Sequence, residues 1–171
     1  MWNGDMEPEA NAYKIELRPP SALTPADLDA LIAILKKDGA VNTVTTRQQL
    51  PHALALALAS RGPSLVALGA IKQPRPNYTI GLRKHSGVAF DSATPELGYV
   101  AVASEHRGQG LSHSILSALL RAHLQPVFAT TDSAAMKKTL VGAKFVQCGT
   151  SWKGKRGQLS LWISPGLILT S

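Results

Sequence analysis

The chain is poor in cysteine, since Cys148 is the single thiol among its 171 residues. One cysteine excludes an intrachain disulfide framework and a cysteine-rich zinc site, so we expect a cytoplasmic, reducing location. Histidines and carboxylates show no metal-ligand spacing either, and we expect no metal cofactor. No apolar run is long enough to cross a membrane, and the acidic, polar start lacks the features of a signal peptide.

Acidic residues are also scarce, with 11 Asp and Glu against 18 Lys and Arg, which gives a net charge of +7. This charge attracts polyanions without identifying one, so phosphorylated cofactors, nucleic acid and acidic surfaces all stay open. Hydrophobic residues make up 44% and charged residues 17%, as in folded globular proteins. We expect one domain over residues 1–171, with residues 1–12 as a flexible N-terminal extension.

The apolar periodicity predicts a mixed α/β fold with helices on both faces of a sheet. Strands are expected at 13–19, 65–72, 87–90, 96–103, 126–131, 145–148 and 159–163. Helices are expected after the Thr24-Pro25 cap, from Thr46, over 54–58, after the glycines near 110 and within 132–145. The alternating Leu and Ala of 54–58 also fit a strand, but alanine favours the helix. Prolines predict a basic connection over 74–85.

The most specific pattern lies in residues 96–124, which predict an apolar strand, a glycine turn and an amphipathic helix. The turn is Arg107-Gly108-Gln109-Gly110-Leu111-Ser112. Its glycines allow a close turn, and the first N–H groups of a helix have no intrahelical partners. With the helix dipole and Arg107, they predict a phosphate seat. The turn lacks the lysine of a Walker loop and the third glycine of a dinucleotide fingerprint. The alternative interpretation is that these glycines serve only the geometry of the turn.

In this context the chain resembles the GNAT superfamily of acyl-CoA-dependent N-acyltransferases. The family motif is Arg/Gln-x-x-Gly-x-Gly/Ala at a strand–turn–helix junction. Arg107 and Gly110 match its first two positions, and Ser112 departs from the third but is small enough to keep the close approach. Residues 126–145 are similar to the family's fifth strand, fourth helix and start of the sixth strand, whereas the N-terminal half matches in element order alone. The resemblance implies a central, mostly antiparallel sheet with splayed fourth and fifth strands and helices on both faces.

The resemblance also implies acetyl-CoA as the acyl donor. Its diphosphate would bind Arg107, Gly108, Gln109, Gly110, Leu111 and Ser112, and its pantetheine arm would bind the strand edge of Val100, Ala101 and Val102. A backbone N–H near Val100 would stabilise the oxyanion of the reaction. The implied activity is direct transfer of an acetyl group to a primary amine. The acceptor and the preferred acyl length cannot be read from the sequence.

Acetyl transfer requires a group that removes a proton from the amine, because a lysine-type amine is protonated at pH 7. Glu96 is the candidate base, by analogy with the carboxylate that related enzymes place in this region. The alternative is a strand-end glutamate paired with a neighbouring Arg or Lys. Tyr99 lies one residue from the expected carbonyl site. A regular strand would put it opposite Glu96, whereas a bulge would change that assignment.

The leaving thiolate needs a proton, which the family often takes from a tyrosine on the fourth helix, shortly before a Gly-Phe pair. When Phe145 is aligned with that phenylalanine, Leu140 takes the tyrosine position and Lys144 the glycine position. The usual acid is therefore absent. Ser133 is the candidate substitute, with Thr139 or water as alternatives.

The missing tyrosine motivates a second hypothesis, a non-catalytic module that senses CoA or binds nucleic acid. The segment 152–158 combines Trp152 with basic residues, which would suit stacking on a nucleic acid. A solvated hairpin loop that borders the substrate cleft is the favoured interpretation. Many members of the superfamily form dimers, so a homodimer is one option for the oligomeric state, and no membrane partner is expected.

Overall fold

The computed structural model describes residues 12–39 and 42–170, so residues 1–11 of the expected N-terminal extension lie outside it. In chain order the strands are β1 (Tyr13–Leu17), β2 (Ala55–Arg61), β3 (Ser64–Lys72), β4 (Ala89–Phe90), β5 (Glu96–Val102), β6 (Phe128–Thr131), β7 (Val146–Lys153), β8 (Gln158–Ile163) and β9 (Leu169–Thr170). Seven of them form one sheet in the order β1-β2-β3-β5-β6-β8-β7. All neighbours in it are antiparallel except β5 and β6, and β4 pairs with β9 separately.

The helices are α1 (Pro25–Asp38), α2 (Thr43–Gln49), α3 (Pro76–Ser86), α4 (Leu111–Ala122) and α5 (Ala134–Gly142). Helix α1 packs on β3 and β5, α4 packs on β1, β2 and β3, and α3 packs on β7 and β8. Leu31 and Leu35 of α1 share one core with Leu58, whereas Ile115 and Leu119 of α4 share another with the opposite face of the sheet. The mixed, mostly antiparallel sheet with helices on both faces is therefore confirmed. None of the described helices has the length and apolar character needed to cross a bilayer.

The prediction of a helix over 54–58 is wrong, because this segment belongs to strand β2. The side chains of residues 56–59 are all buried. Leu56 and Leu58 face the core under α1, while Ala57 and Ala59 face the core under α4. A strand covered on both faces shows no polar alternation. Its small alanines bring the strand close to α4, which is why a helix-favouring residue type occurs in this sheet.

Other segments also differ from the predictions. Strand β7 continues to Lys153 instead of ending at 148, so Trp152 belongs to a strand and not to the expected loop. Helix α2 begins at Thr43 rather than Thr46, because the Asn42 side chain accepts hydrogen bonds from the next turn and caps it. Residues 74–85 are not a basic connection, since they contain most of α3. Pro76 takes the first helical position, where its missing N–H costs nothing, and Gly87 ends the helix in the left-handed conformation at φ 75°.

The sheet opens between β5 and β6, as the resemblance implied. The register pairs these strands at one position alone, Glu96 opposite Phe128. Beyond it β5 continues beside β3, with a bulge in which Tyr99 and Val100 both oppose Gly69. Tyr99 takes a left-handed φ of 54°, which is uncommon outside glycine. The fold thus creates an open strand edge next to a strained residue.

Candidate functional site

The turn after β5 is an open corner that ends in an uncapped helix. Gly108 and Gly110 have φ values of 79° and 72°, and a Cβ atom built on either would meet nothing within 4 Å. Helix α4 begins at Leu111 without a side-chain cap, and its first backbone bond runs from the Ser114 N–H to the Gly110 carbonyl. The preceding N–H groups of α4 therefore have no acceptor in the helix. Such a corner suits a phosphate group.

Arg107 begins this corner with an extended backbone, and its Nε donates to the Val102 carbonyl at 3.4 Å. Arg107 and Gln109 are exposed, Ser112 is half-buried, and Leu111 is buried at 4% exposure. The phosphate seat predicted over residues 107–112 thus has the required local geometry. Its use by a ligand stays a prediction.

The edge of β5 that faces β6 carries free backbone groups. The Ala103 N–H donates to the Val66 carbonyl of β3. Because backbone groups alternate along a strand, the N–H and carbonyl of Ala101 also point toward β3. The N–H and carbonyl groups of Val100 and the N–H of Val102 then face the open edge, where the Val102 carbonyl accepts from Arg107 Nε at 3.4 Å. Among the three residues predicted to hold a pantetheine arm, these two present backbone donors and acceptors, and Ala101 supports the strand.

Two clefts meet at this opening. The larger one, which we call the donor cleft after the ligand that we propose for it, has a volume of about 670 Å³ and runs between β5 and β6. Val100, Ser133 and Met136 line it, as does Asp38 at the end of α1. The acceptor cleft, of about 510 Å³, lies between α2 and α3. Both clefts are lined by Tyr78, Leu97, Gly98, Tyr99 and Thr130. A ligand in each would therefore meet its neighbour at the β5 bulge.

Glu96 lies in the wall of the acceptor cleft and is 7% exposed. Burial raises the pKa of Glu96 above its ordinary value, and the positive charge of Lys72 and the Tyr78 hydroxyl oppose that rise. The Lys72 Nζ is 3.6 Å from Oε2 of Glu96. The ion pair named as the alternative in the sequence analysis is thus present, and the charge of Lys72 favours the ionised form of the Glu96 carboxyl group.

Tyr99 lies on the same face of β5 as Glu96, because the bulge shifts the alternation of side chains. Its ring is 4.0 Å from the Lys72 ammonium. Its hydroxyl is 3.1 Å from the amide of Gln49 on α2, whose oxygen, when turned toward Arg75, accepts from that guanidinium at 3.0 and 3.2 Å. Tyr99 therefore forms part of the acceptor cleft and links it to α2.

The Tyr78 hydroxyl lies where the two clefts join, hydrogen-bonded to Thr130 of β6 at 3.0 Å. The residue as a whole is 39% exposed. Burial and the negative charge of Glu96 raise the pKa of Tyr78, so the phenol keeps its proton at neutral pH.

Ser133 serves as the N-cap of α5, where its Oγ accepts from the Met136 N–H at 3.2 Å. It also lines the donor cleft, so its hydroxyl proton can still point to a ligand. Thr139 is half-buried and donates to a carbonyl of its own helix. Leu140 is fully buried at 0% exposure, so the side chain at the position of the family tyrosine is part of the hydrophobic core. Lys144, at the family's glycine position, has a left-handed φ of 70°.

The loop between β7 and β8 covers 154–157, shorter than the predicted 152–158, and it borders the donor cleft rather than the acceptor cleft. Lys155 and Arg156 line that cleft, and Arg156 binds Asp132 at 3.0 Å and also donates to the Asp38 carbonyl. The Trp152 ring stacks on His85 at 5.6 Å, so one of its faces is already covered by protein. Within the described residues, no three His, Cys, Asp or Glu side chains cluster to hold a metal ion.

Sequence reasoning missed Lys72, Gln49, Arg75 and Thr130, which complete the two clefts. No local motif marks them, because they come from four different elements that only the fold brings together. Tyr78 belongs to α3, in the long segment between β3 and the central strand β5, and the length of that segment is the one signal in the sequence that points to it.

Solved structures with the same architecture were found, although no family model and no curated protein match the chain. One is a ribosomal-protein-alanine N-acetyltransferase from Brucella melitensis, with 20% identity and a TM-score of 0.65 over 90% of this chain and 99% of that one. A GNAT-family acetyltransferase from Streptococcus agalactiae has 13% identity and a TM-score of 0.69 over 90% and 97%. YncA from Salmonella typhimurium, solved with its cofactor acetyl-CoA, has 16% identity and a TM-score of 0.61 over 88% and 92%. The chain has the GNAT fold.

Proposed function

We propose that this protein is an N-acetyltransferase that moves an acetyl group from acetyl-CoA to a primary amine by direct attack. One observation carries the proposal: a splayed pair of strands leads into an open glycine corner with an uncapped helix. A strand edge suits the two amides of pantetheine, and the corner suits a diphosphate. The similar structures, one of them with acetyl-CoA, support the same ligand.

Binding would use backbone groups more than side chains. The N–H groups of Leu111 and Ser112 would hold the diphosphate together with Arg107, while Gly108, Gln109 and Gly110 shape the corner. Val100 and Val102 would bind the pantetheine amides along the free edge of β5. When bound, acetyl-CoA supplies an acetyl group activated as a thioester.

Catalysis would take place where the two clefts join. Glu96 would accept a proton from the amine, helped by Lys72, which favours the ionised carboxylate. The N–H of Val100 faces the free edge and would stabilise negative charge that develops on the carbonyl oxygen. Tyr99 would shape the acceptor side and fix the bulge through its bond to Gln49.

A hydroxyl must replace the absent family tyrosine as the source of the proton for the leaving sulfur. Ser133 and Tyr78 both line the donor cleft. The Tyr78 hydroxyl lies at the junction of the two clefts, where burial and the negative charge of Glu96 raise its pKa and so weaken it as an acid, whereas Ser133 lines the donor cleft alone. Thiol release by the Tyr78→Phe and Ser133→Ala variants distinguishes the two residues, because each variant lacks one of the hydroxyls.

The acceptor is an amine of unknown identity. Two of the similar structures are named as ribosomal-protein-alanine N-acetyltransferases, so peptides with free N-termini belong among the amines to be tried. We further propose a single catalytic domain that works in the cytoplasm, as the lone cysteine indicates. A homodimer stays an option.

The test is release of free CoA thiol from acetyl-CoA in the presence of small amines, peptides and aminoacyl-tRNA. We expect release with at least one amine class and loss of that release in the Glu96→Gln variant. Calorimetry with CoA gives the companion measurement, and absence of binding would remove the proposal.

The alternative is a CoA-binding module without turnover, and the buried Leu140 favours it. Binding of CoA without thiol release across the whole panel would support this alternative. If nucleic acid were the partner instead, its affinity should fall steeply as salt is raised.

A further inference from the structure

Lys72 places a primary amine inside the acceptor cleft. It is the last residue of β3 and pairs with Glu96 across the sheet. Its Nζ is 3.6 Å from Oε2 of Glu96 and 4.0 Å from the centre of the Tyr99 ring. The side chain is 26% exposed, so it is held by these contacts without being sealed in the core.

The absence of a side chain at Gly98 leaves room for the Lys72 side chain on β5. A Cβ atom at residue 98 would lie 2.9 Å from Cε of Lys72, so the lysine stem rests on β5 because a side chain is missing there. Gly98 also lines both clefts. The Lys72 amine therefore lies beside the candidate base and next to the wall that separates the acceptor cleft from the donor cleft.

A substrate amine needs the same surroundings, namely a carboxylate that accepts its proton and a short path to the β5 bulge. We propose that Lys72 is an internal acceptor, so that the protein acetylates its own Lys72. The inference rests on the proposed acetyltransferase function. It assigns a modification site to a side chain whose other role is the ion pair with Glu96.

All bonds and protons of the proposed acetyl transfer are accounted for. Glu96 takes one proton from the Lys72 ammonium, and the neutral Nζ attacks the thioester carbonyl. A nitrogen–carbon bond forms while the carbon–sulfur bond breaks. The nitrogen gives up its second proton as the carbon–sulfur bond breaks, the sulfur takes up one proton and leaves as the CoA thiol, and Glu96 returns its own proton to solvent. One ammonium thus becomes one amide, with release of one thiol and one proton.

The modification would also alter the site. Acetylated Lys72 carries no charge, so Glu96 would lose the positive neighbour that opposes the burial-induced rise of its pKa. The acetyl amide would also fill part of the acceptor cleft. Turnover of external amines should therefore fall as Lys72 becomes acetylated.

The test uses the full-length protein incubated with acetyl-CoA and mapped by peptide mass spectrometry. We expect acetylation of Lys72 to exceed that of Lys14, an exposed β1 lysine that reports spontaneous modification. Glu96→Gln should slow Lys72 acetylation about 100-fold, the low end of what a positioned base contributes. Gly98→Ala should also slow it, because the new methyl displaces the lysine stem. Lys14→Arg serves as the matched control for Lys72→Arg and should leave Lys72 acetylation unchanged.

A second readout needs no acetyl-CoA. The Tyr99 ring should shift the Hε signal of one lysine upfield in the NMR spectrum. This signal should disappear in Lys72→Arg and move toward the ordinary position in Gly98→Ala. An unshifted lysine spectrum in the unmodified protein would overturn the placement of the amine on which the inference depends.

Calorimetry with CoA and thiol release with an external amine, run on the same preparation, separate the two proposals. If CoA binds and external amines are acetylated while Lys72 is modified no faster than Lys14, the internal-acceptor inference alone is refuted. If CoA does not bind, both proposals fail.

Discussion

Replacing Gly110 by alanine should separate ligand binding from folding. At φ 72° a side chain costs about 1–2 kcal/mol, because the left-handed region disfavours a Cβ atom. For a chain of this size that cost lowers Tm by about 2–8 °C. Since nothing lies within 4 Å of the added methyl, the protein itself should accommodate it. The methyl would instead occupy the corner where a diphosphate must approach the backbone.

Loss of one hydrogen bond to a charged phosphate is worth about 1.5–3 kcal/mol. We therefore expect Gly110→Ala to weaken CoA binding by roughly 10–100-fold in calorimetry. Gly87→Ala is the matched control, because Gly87 has φ 75°, an equally open Cβ position and a place at the end of α3. It should lose similar stability and keep full affinity. Equal affinity losses in the two variants, or none in Gly110→Ala, would refute the reasoning.

Three further substitutions test other parts of the structure. Activity should rise as the pH passes through the raised pKa of Glu96, since the ionised form accepts the proton. Glu96→Gln should abolish this rise with pH and lower the rate of thiol release by about 100-fold. Lys144→Gly should raise Tm by about 2–4 °C, because it relieves roughly 1 kcal/mol of left-handed strain; an unchanged or lower Tm would contradict this. Leu140→Tyr should lower the free energy of unfolding in urea by about 1–3 kcal/mol through overpacking of a fully buried position, and a faster thiol release in that variant would count against our assignment of the proton donor.

Local signals in the sequence were strong where one short segment determines the structure. The Thr24 cap with Asp27 begins α1 as predicted, and its capping box satisfies two backbone donors. The glycine turn and the start of α4 were likewise predictable, because glycine conformation and helix ends depend on adjacent residues. The GNAT fold followed from that junction and from the later strand–helix–strand pattern.

The sequence did not predict the features that depend on contacts between elements far apart in the chain. Strand β2 is covered by helices on both faces, which removes the alternation that identifies a strand. The bulge at Tyr99 depends on its register against β3, so the face of Tyr99 could not be assigned from β5 alone. Lys72 became a candidate only when the sheet brought it beside Glu96 and Gly98. Sites built across strands leave no compact motif.

The most direct test of the account measures the backbone amides of Leu111, Ser112 and His113 by NMR while CoA is added. We predict large shifts of these three amide signals, because hydrogen bonds to phosphate would replace bonds to water at the start of α4. The same titration with pantetheine, which lacks the diphosphate, should leave them nearly unchanged. If CoA binds while these amides do not respond, the glycine corner is not the diphosphate site and the account is contradicted.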